Sequence, residues 1–377
     1  MLEILILLMP FIPLLSLPVS VIRFGTLTVP DKPEQESLGC DDASNDPWSH
    51  PRLGTFSRDP DHSCPLGTLR FRSCCRPNHP SNMNISFIVD NGEYAASSGD
   101  YRNHSLLEAI AYEGKPVVWI VPGMMSDDLV ISEILLISET YVQLGYNVML
   151  LHWDEVDKTF GQSLADTKVV AAMLGSLILD SGAIDRSICI GFSFGAHVCG
   201  MAGKYVREKG GKGTIPRCYV LDPAGPGFDV LPDTGAHLAP GDCDVIVAVH
   251  TSSVCTTNYP LTKLHVPGWG SIERHADCSF EVNNAVAYDQ PGCADMRKLN
   301  FMLKRKNRHG FRFRGPPAQR CGHSRAISLF LSSLRQSCDL VGREESSSMR
   351  FPPLDQCEAG MQKTLIVKTT MSGQPYC

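Results

Sequence analysis

Ser187-Ile188-Cys189-Ile190-Gly191-Phe192-Ser193-Phe194-Gly195-Ala196-His197-Val198-Cys199-Gly200 is the stretch whose reading decides the fold. β-prone residues lead into Gly-x-Ser-x-Gly, and small residues and an amphipathic run follow. This predicts a short apolar strand, a tight turn centred on Ser193, and then a helix. Such an elbow needs unusual backbone angles and close helix–strand approach, which a Cβ would obstruct, so glycine is required on both sides of the serine.

Working outward, strands are predicted at Ile85–Val89, Pro116–Val121, Asn147–His152, Ser187–Phe192, Arg217–Leu221 and Asp244–Val249. Between them, helices are expected from Ser126 to near Gly145, over Leu164–Asp180, and from the elbow to about Arg207. Most of these strands are apolar throughout, which argues a largely parallel sheet covered by helices on both faces. Ligands in such sheets sit at the carboxyl ends of the strands, where Gly123-Met124, Trp153, Ser193 and Asp222 fall. The expectation is an α/β-hydrolase fold without an internal repeat or a second domain.

The rest of the chain frames that core. Residues 1–20 are almost wholly apolar and end in small residues, which reads as a signal peptide. No later run reads as long and apolar enough to span a bilayer. Residues 21–83 are rich in Pro, Ser, Asp and Cys and read as an irregular segment stapled among Cys40, Cys64, Cys74 and Cys75. Residues 84–377 hold the catalytic domain, and the tail from Glu344 reads as an edge element tied down by Cys357 and Cys377. Fifteen cysteines and the sequons at Asn84 and Asn103 suit an oxidising, extracellular compartment. Cys189, Cys199 and Cys218, in apolar strand or helix positions, read as small buried free residues. With 43% hydrophobic and 20% charged residues the chain can bury a sizeable core. Its net charge of −6 does not suggest nucleic-acid binding.

A serine hydroxyl is a poor nucleophile until a base takes its proton, and the base needs a third group to hold its tautomer. In this fold class the order is Ser, then Asp or Glu, then His. Asp222 ends the strand after the elbow helix and is the preferred acid; Asp242 and Asp244 are rivals that precede a strand. His323, in a loop just before a helix at Ala326–Leu334, is the preferred base among 12 histidines. His250 and His275 are its nearest competitors, and His197 reads as a packing or capping residue in the elbow helix. An oxyanion hole needs two backbone N–H groups, expected from Phe194 and from Met124 in the loop after the Trp119 strand.

Four motifs in this order carry a resemblance: Gly191-Phe192-Ser193-Phe194-Gly195-Ala196-His197, Leu221-Asp222-Pro223-Ala224-Gly225-Pro226, Val249-His250-Thr251-Ser252 and Cys321-Gly322-His323-Ser324-Arg325-Ala326. Over roughly Glu36 to Cys377 the chain resembles the secreted pancreatic-lipase-like family, which includes triacylglycerol lipases and phospholipases A1. The resemblance implies a Ser193, Asp222 and His323 triad with Met124 and Phe194 as oxyanion donors. It also implies a Cys293–Cys321 disulfide closing a lid over 293–321. That lid carries nine Lys and Arg residues against Asp295, interleaved with apolar residues such as Phe301 and Phe311, which suits docking on a lipid or lipoprotein surface.

The departures also count. Pro122 and Phe192 stand where the family usually has His. Only Asp242 matches an acidic residue of the family's calcium loop, so no metal is expected, and no cofactor. No C-terminal β-sandwich follows, so no colipase is expected. The function implied is a secreted serine hydrolase cleaving acyl esters of lipids; the alternative is a non-catalytic lipid-binding or yolk-type protein on the same fold.

Overall fold

The predominantly apolar strands run side by side through the centre of the molecule. The computed structural model describes residues 47–57, 64–66, 69–71, 76–83, 85–90, 97–100, 104–111, 114–124, 128–153, 160–211, 213–229, 236–259, 262–293, 317–336, 340–344, 347–351 and 356–369. All of them belong to one compact unit, 35–377. The central sheet is built from β1 (Ile85–Asp90), β2 (Ser97–Asp100), β3 (Val117–Val121), β4 (Asn147–Trp153), β5 (Ser187–Phe192), β6 (Arg217–Leu221), β7 (Val245–His250), β8 (Cys278–Val282), β9 (Leu340–Glu344), β10 (Ser347–Phe351) and β11 (Lys363–Val367). Its spatial order is β10-β9-β11-β8-β7-β6-β5-β3-β4-β1-β2. From β4 to β11 every neighbouring pair is parallel, and antiparallel pairs finish both edges.

Among the described residues, five helices flank the sheet: α1 (His104–Ala111), α2 (Asp128–Gln143), α3 (Phe160–Ser181), α4 (Phe194–Gly210) and α5 (Pro317–Leu334). Because side chains alternate along a strand, each strand feeds two cores. Val117, Trp119 and Val121 of β3 pack with α3 and α4, whereas Val118 and Ile120 pack with α2 and α5. This is the α/β-hydrolase architecture that the strand pattern implied. Helix α4 runs beyond Arg207 and stops where Gly211 turns left-handed, at φ 64°, with its N–H on Arg207 O.

Several expectations need correction. The tail is more than an edge element: β11 is an interior strand between β8 and β9, and the β9–β10 hairpin forms the edge. Cys357 pairs with Cys278, and Cys377 lies outside the described residues. Cys189, Cys199 and Cys218 are disulfide-bonded: Cys189 of β5 joins Cys199 of α4, and Cys218 of β6 joins Cys243. Alternation points Cys189 at the helix that covers it, where Cys199 stands with a Cα–Cα distance of 5.8 Å. Helix α3 is also long and apolar enough to cross a membrane, contrary to the sequence reading, but it is a buried core helix packed against α4.

Within 21–83 the described residues form two short hairpins, Trp48–His50 with Gly54–Phe56 and Cys64–Leu66 with Leu69–Phe71. Trp48 stacks on Phe56 at 4.6 Å and its Nε1–H donates to Pro77 O. Buried Asp166 of α3 accepts hydrogen bonds from Asn78, which staples this segment to the core. Residues 1–46, with Cys40, and also Cys74, Cys75, Asn84 and Asn103 lie outside the described residues.

The Cys189–Cys199 bond closes a short loop around the elbow, with no exposed surface at either residue. Replacing both with Ala should lower unfolding free energy by about 2–4 kcal/mol. Thermal denaturation without reductant measures this, and an unchanged melting temperature would remove the bond from the account of stability.

Candidate active site

Strand β5 ends at Phe192 and α4 begins at Phe194, which leaves Ser193 alone at the turn with φ 56° and ψ −117°. A non-glycine residue there carries roughly 1–3 kcal/mol of strain and persists only where its surroundings hold it. They do. Ser193 N–H donates to Leu221 O, and Ser193 O accepts from Ala196 and Ala224. The flanking glycines are required by contact: a Cβ on Gly191 would stand 2.2 Å from Gly195 O, and one on Gly195 would stand 2.0 Å from Val121 O. The elbow is therefore pressed against itself and against the end of β3.

Asp222 follows β6, also at positive φ, with its N–H on Val249 O. Its carboxylate has no exposed surface. Oδ1 accepts from the N–H groups of Thr251 (2.8 Å) and Ser252 (3.2 Å). Oδ2 accepts from His323 Nδ1 (2.6 Å) and Ser252 Oγ (2.5 Å). Burial alone would raise the Asp222 pKa, but the hydrogen bond and charge of His323, with those of Ser252 and Thr251, outweigh it and hold the group below its ordinary value. An ionised carboxylate only accepts, so the His323 proton sits on Nδ1 and Nε2 keeps its lone pair. Phe192 packs on the His323 ring at 4.7 Å and Trp269 meets it edge-on at 5.7 Å.

His323 lies inside α5 rather than in a loop before it. The helix starts early, at Pro317, because proline suits a first helical turn, and it packs closely at Gly322, where a Cβ would stand 2.5 Å from Ala287 O. The structure joins Cys293 to Cys321, two residues before His323. The lid residues 294–316 between them lie outside the described residues.

The loop after β3 sits on the elbow. A Cβ on Gly123 would stand 2.6 Å from Ser193 Cβ, and Trp153 Nε1–H reaches Pro122 O at 3.5 Å. Met124 is half-buried against the α3–α4 core; Phe194 is buried, with Phe160 and Phe228 edge-on to its ring. Residues close to the Asp222–His323 pair that were not assigned a role from sequence include Thr251, Ser252, Trp269 and Gly270. Ser252 lies in a motif that the chain displays, whereas nothing local marks Trp269 or Gly270, which arrive by tertiary contact.

A protein-family model described as Lipase matches residues 108–360, more than half of the chain. The chain belongs to the lipase family. Lipase member H-A of Xenopus laevis is 30% identical over 61% of this chain and 40% of its own length. Phospholipase A1 of Vespa crabro is 30% identical over 45% of this chain and 43% of its own. Hepatic triacylglycerol lipase of Rattus norvegicus is 30% identical over 59% and 43%. The chain thus spans about two fifths of the length of these relatives. Among solved structures, the α/β hydrolase MGS-M1 from a Medee basin deep-sea metagenome library is similar at TM-score 0.24 with 18% identity, over 48% of this chain and 72% of that one. That score is too low to add to the topology already described.

Within this lipase-family site the rival residues fall elsewhere. Asp242 and Asp244 precede β7, at the opposite end of the sheet from Asp222. His250 ends β7 buried and neutral, its pKa pushed down to about 3 by burial. His197 donates from Nε2 to Ala224 O, accepts Leu238 N–H at Nδ1 and stacks on Phe228; burial lowers its pKa to about 3. His275 stacks on His237. The calcium of the family does not fit the described residues: Asp242 Oδ2 accepts Ala239 N–H, its other oxygen faces Arg207 at 3.7 Å, and among the described residues no cluster of three His, Cys, Asp or Glu could hold a cation.

Burial raises the Asp242 pKa from 3.8 to about 6. The folded protein therefore keeps a proton there that the unfolded chain releases, and this group's contribution to stability falls as pH rises from about 4 to about 6. Asp242→Asn should remove that fall and stabilise the protein at pH 7 by on the order of 1–3 kcal/mol. Melting curves of both proteins across this range check it; a parallel pH dependence in the two would contradict it.

Proposed function

We propose that the chain is a serine ester hydrolase that cleaves acyl esters of lipids through a Ser193, His323 and Asp222 triad. The observation that carries this reading is the 2.6 Å bond from His323 Nδ1 to a carboxylate without solvent contact, just past the strand whose last residue bonds to a serine held in a strained elbow. The family membership and the names of the relatives, lipases and a phospholipase A1, support a lipid ester as substrate.

Ser193 Oγ attacks the ester carbonyl carbon while its proton passes to His323 Nε2. Asp222 stays ionised and offsets the imidazolium charge through the Nδ1–H bond. The tetrahedral oxyanion is held by the backbone N–H groups of Phe194 and Met124. The bond to the alcohol oxygen then breaks, and the Nε2 proton leaves on that oxygen. Water adds to the acyl-serine carbonyl, giving one proton to Nε2. Collapse releases the fatty acid, and the proton returns to Ser193 Oγ. Asp222 thus fixes the tautomer, the elbow fixes the nucleophile, and no cofactor is used. The apolar run over residues 1–20 and the disulfides support an exported protein.

The first test uses protein recovered from the medium of expressing cells, which also checks export. A fluorophosphonate should label the wild type and not Ser193→Ala. Absence of labelling in folded wild type would leave only the lipid-binding alternative. Fatty-acid release from triacylglycerol emulsions and from phospholipid vesicles then assigns the substrate, and cleavage of neither, with a short soluble ester turned over, would discard the lipid. Gly123→Ala should slow hydrolysis on the order of 10²-fold or more, because the new Cβ displaces the oxyanion loop from Ser193. Full activity with an unchanged melting temperature would show that this loop supplies no donor.

A further inference from the structure

We propose that Ser252 is a positioning residue for the Asp222–His323 pair and couples it to the Gly268–Trp269–Gly270 loop. The inference rests on the triad reading above. The hydroxyl of Ser252 has one proton and two lone pairs, and its surroundings settle how each is used. Gly270 N–H points at Oγ from 3.0 Å, and an N–H can only donate. Asp222 Oδ2, at 2.5 Å, can only accept while ionised. The Ser252 proton therefore lies on Oδ2, the same oxygen that receives His323 Nδ1–H. Oγ also stands 3.2 Å from Nδ1, so a lone pair of the serine lies beside the bond between base and acid.

Oδ1 is already occupied by the N–H groups of Thr251 and Ser252 itself. With both oxygens engaged, the carboxylate cannot rotate, and Oδ2 stays turned toward the imidazole. Ser252 thus grips Asp222 at both oxygens, by backbone at Oδ1 and by side chain at Oδ2.

The second half of the proposal is the loop. Gly270 N–H also donates to Ser252 O at 3.1 Å, Gly268 N–H donates to Ser253 O at 2.9 Å, and Trp269 O accepts Gly225 N–H at 2.8 Å. A Cβ on Gly270 would stand 2.5 Å from Asp222 Oδ1, so the loop backbone lies directly on the carboxylate. The same loop presents the Trp269 ring edge-on to His323. Ser252 is therefore bonded both to the triad acid and to the loop that covers it and walls the base. No substrate contact is assigned to it; it acts through Asp222.

The test measures the rate of fluorophosphonate labelling of Ser193 in four full-length proteins: wild type, Ser252→Ala, Asp222→Ala, and the double variant. Ser252→Ala should label about tenfold more slowly than wild type, the size expected for losing a hydrogen bond to a charged acceptor. In the Asp222→Ala background, the same change should alter the rate less than twofold, because the group through which Ser252 acts is gone. A residue with a merely structural role would slow both backgrounds alike, and that result overturns the proposal, as does an undiminished rate in Ser252→Ala. If Ser252→Ala does not fold, Gly270→Ala, which keeps Ser252 but displaces the loop from the carboxylate, should also slow labelling about tenfold; a wild-type rate there overturns the proposal. A wild type that does not label at all overturns the triad reading itself, a result distinct from each of these.

Discussion

An ionised carboxylate without solvent contact can persist only if the fold brings it donors. Asp222 receives four hydrogen bonds, from Thr251 and Ser252 after β7 and from His323 on α5. A buried charge left unpaired costs several kcal/mol. The end of β6, the end of β7 and α5 are therefore held in mutual register by one side chain. Ser193 joins the same arrangement, since its N–H bonds to the residue that precedes Asp222. Stability and site geometry are here the same requirement, because the contacts that make Asp222 tolerable are those that orient the imidazole.

Much of the fold was legible because its signals are local. β3 is apolar along its whole length, and β5, β6 and β7 are apolar but for an end residue each, Ser187, Arg217 and His250, as strands buried on both faces tend to be. The elbow was legible because glycine is forced at Gly191 and Gly195 by contacts closer than a Cβ permits. The order of Ser193, Asp222 and His323 could be read because each sits just past, or packs against, a recognisable element. What lay beyond reach is long-range. The Cys189–Cys199 and Cys218–Cys243 pairings depend on which face of a strand meets which helix or loop, and composition alone made these residues look free. Ser252 could be seen in its motif but not given work, because its partners come from Asp222 and Gly270. The interior place of β11 is set by a parallel pairing with β8, more than 80 residues earlier in the chain.

The histidines show how burial sorts candidates that sequence leaves level. His197 and His250 are as buried as His323, but burial without a carboxylate partner keeps them neutral far below physiological pH. His323 differs in having Asp222 on one side and aromatic rings from Phe192 and Trp269 around it. Phe192, where the family usually has histidine, gives the base a flat apolar neighbour that neither donates nor accepts, so Nδ1 keeps its bond to the acid without competition from that side.

Helix α3 meets the length and hydropathy of a bilayer-crossing segment, and only its packing against α4 and the sheet makes it the core of a folded domain. Until α4 covers it, the segment is indistinguishable by hydropathy from one that a translocation channel would release sideways into lipid. A change that loosens α4 therefore uncovers a helix whose composition suits lipid better than water.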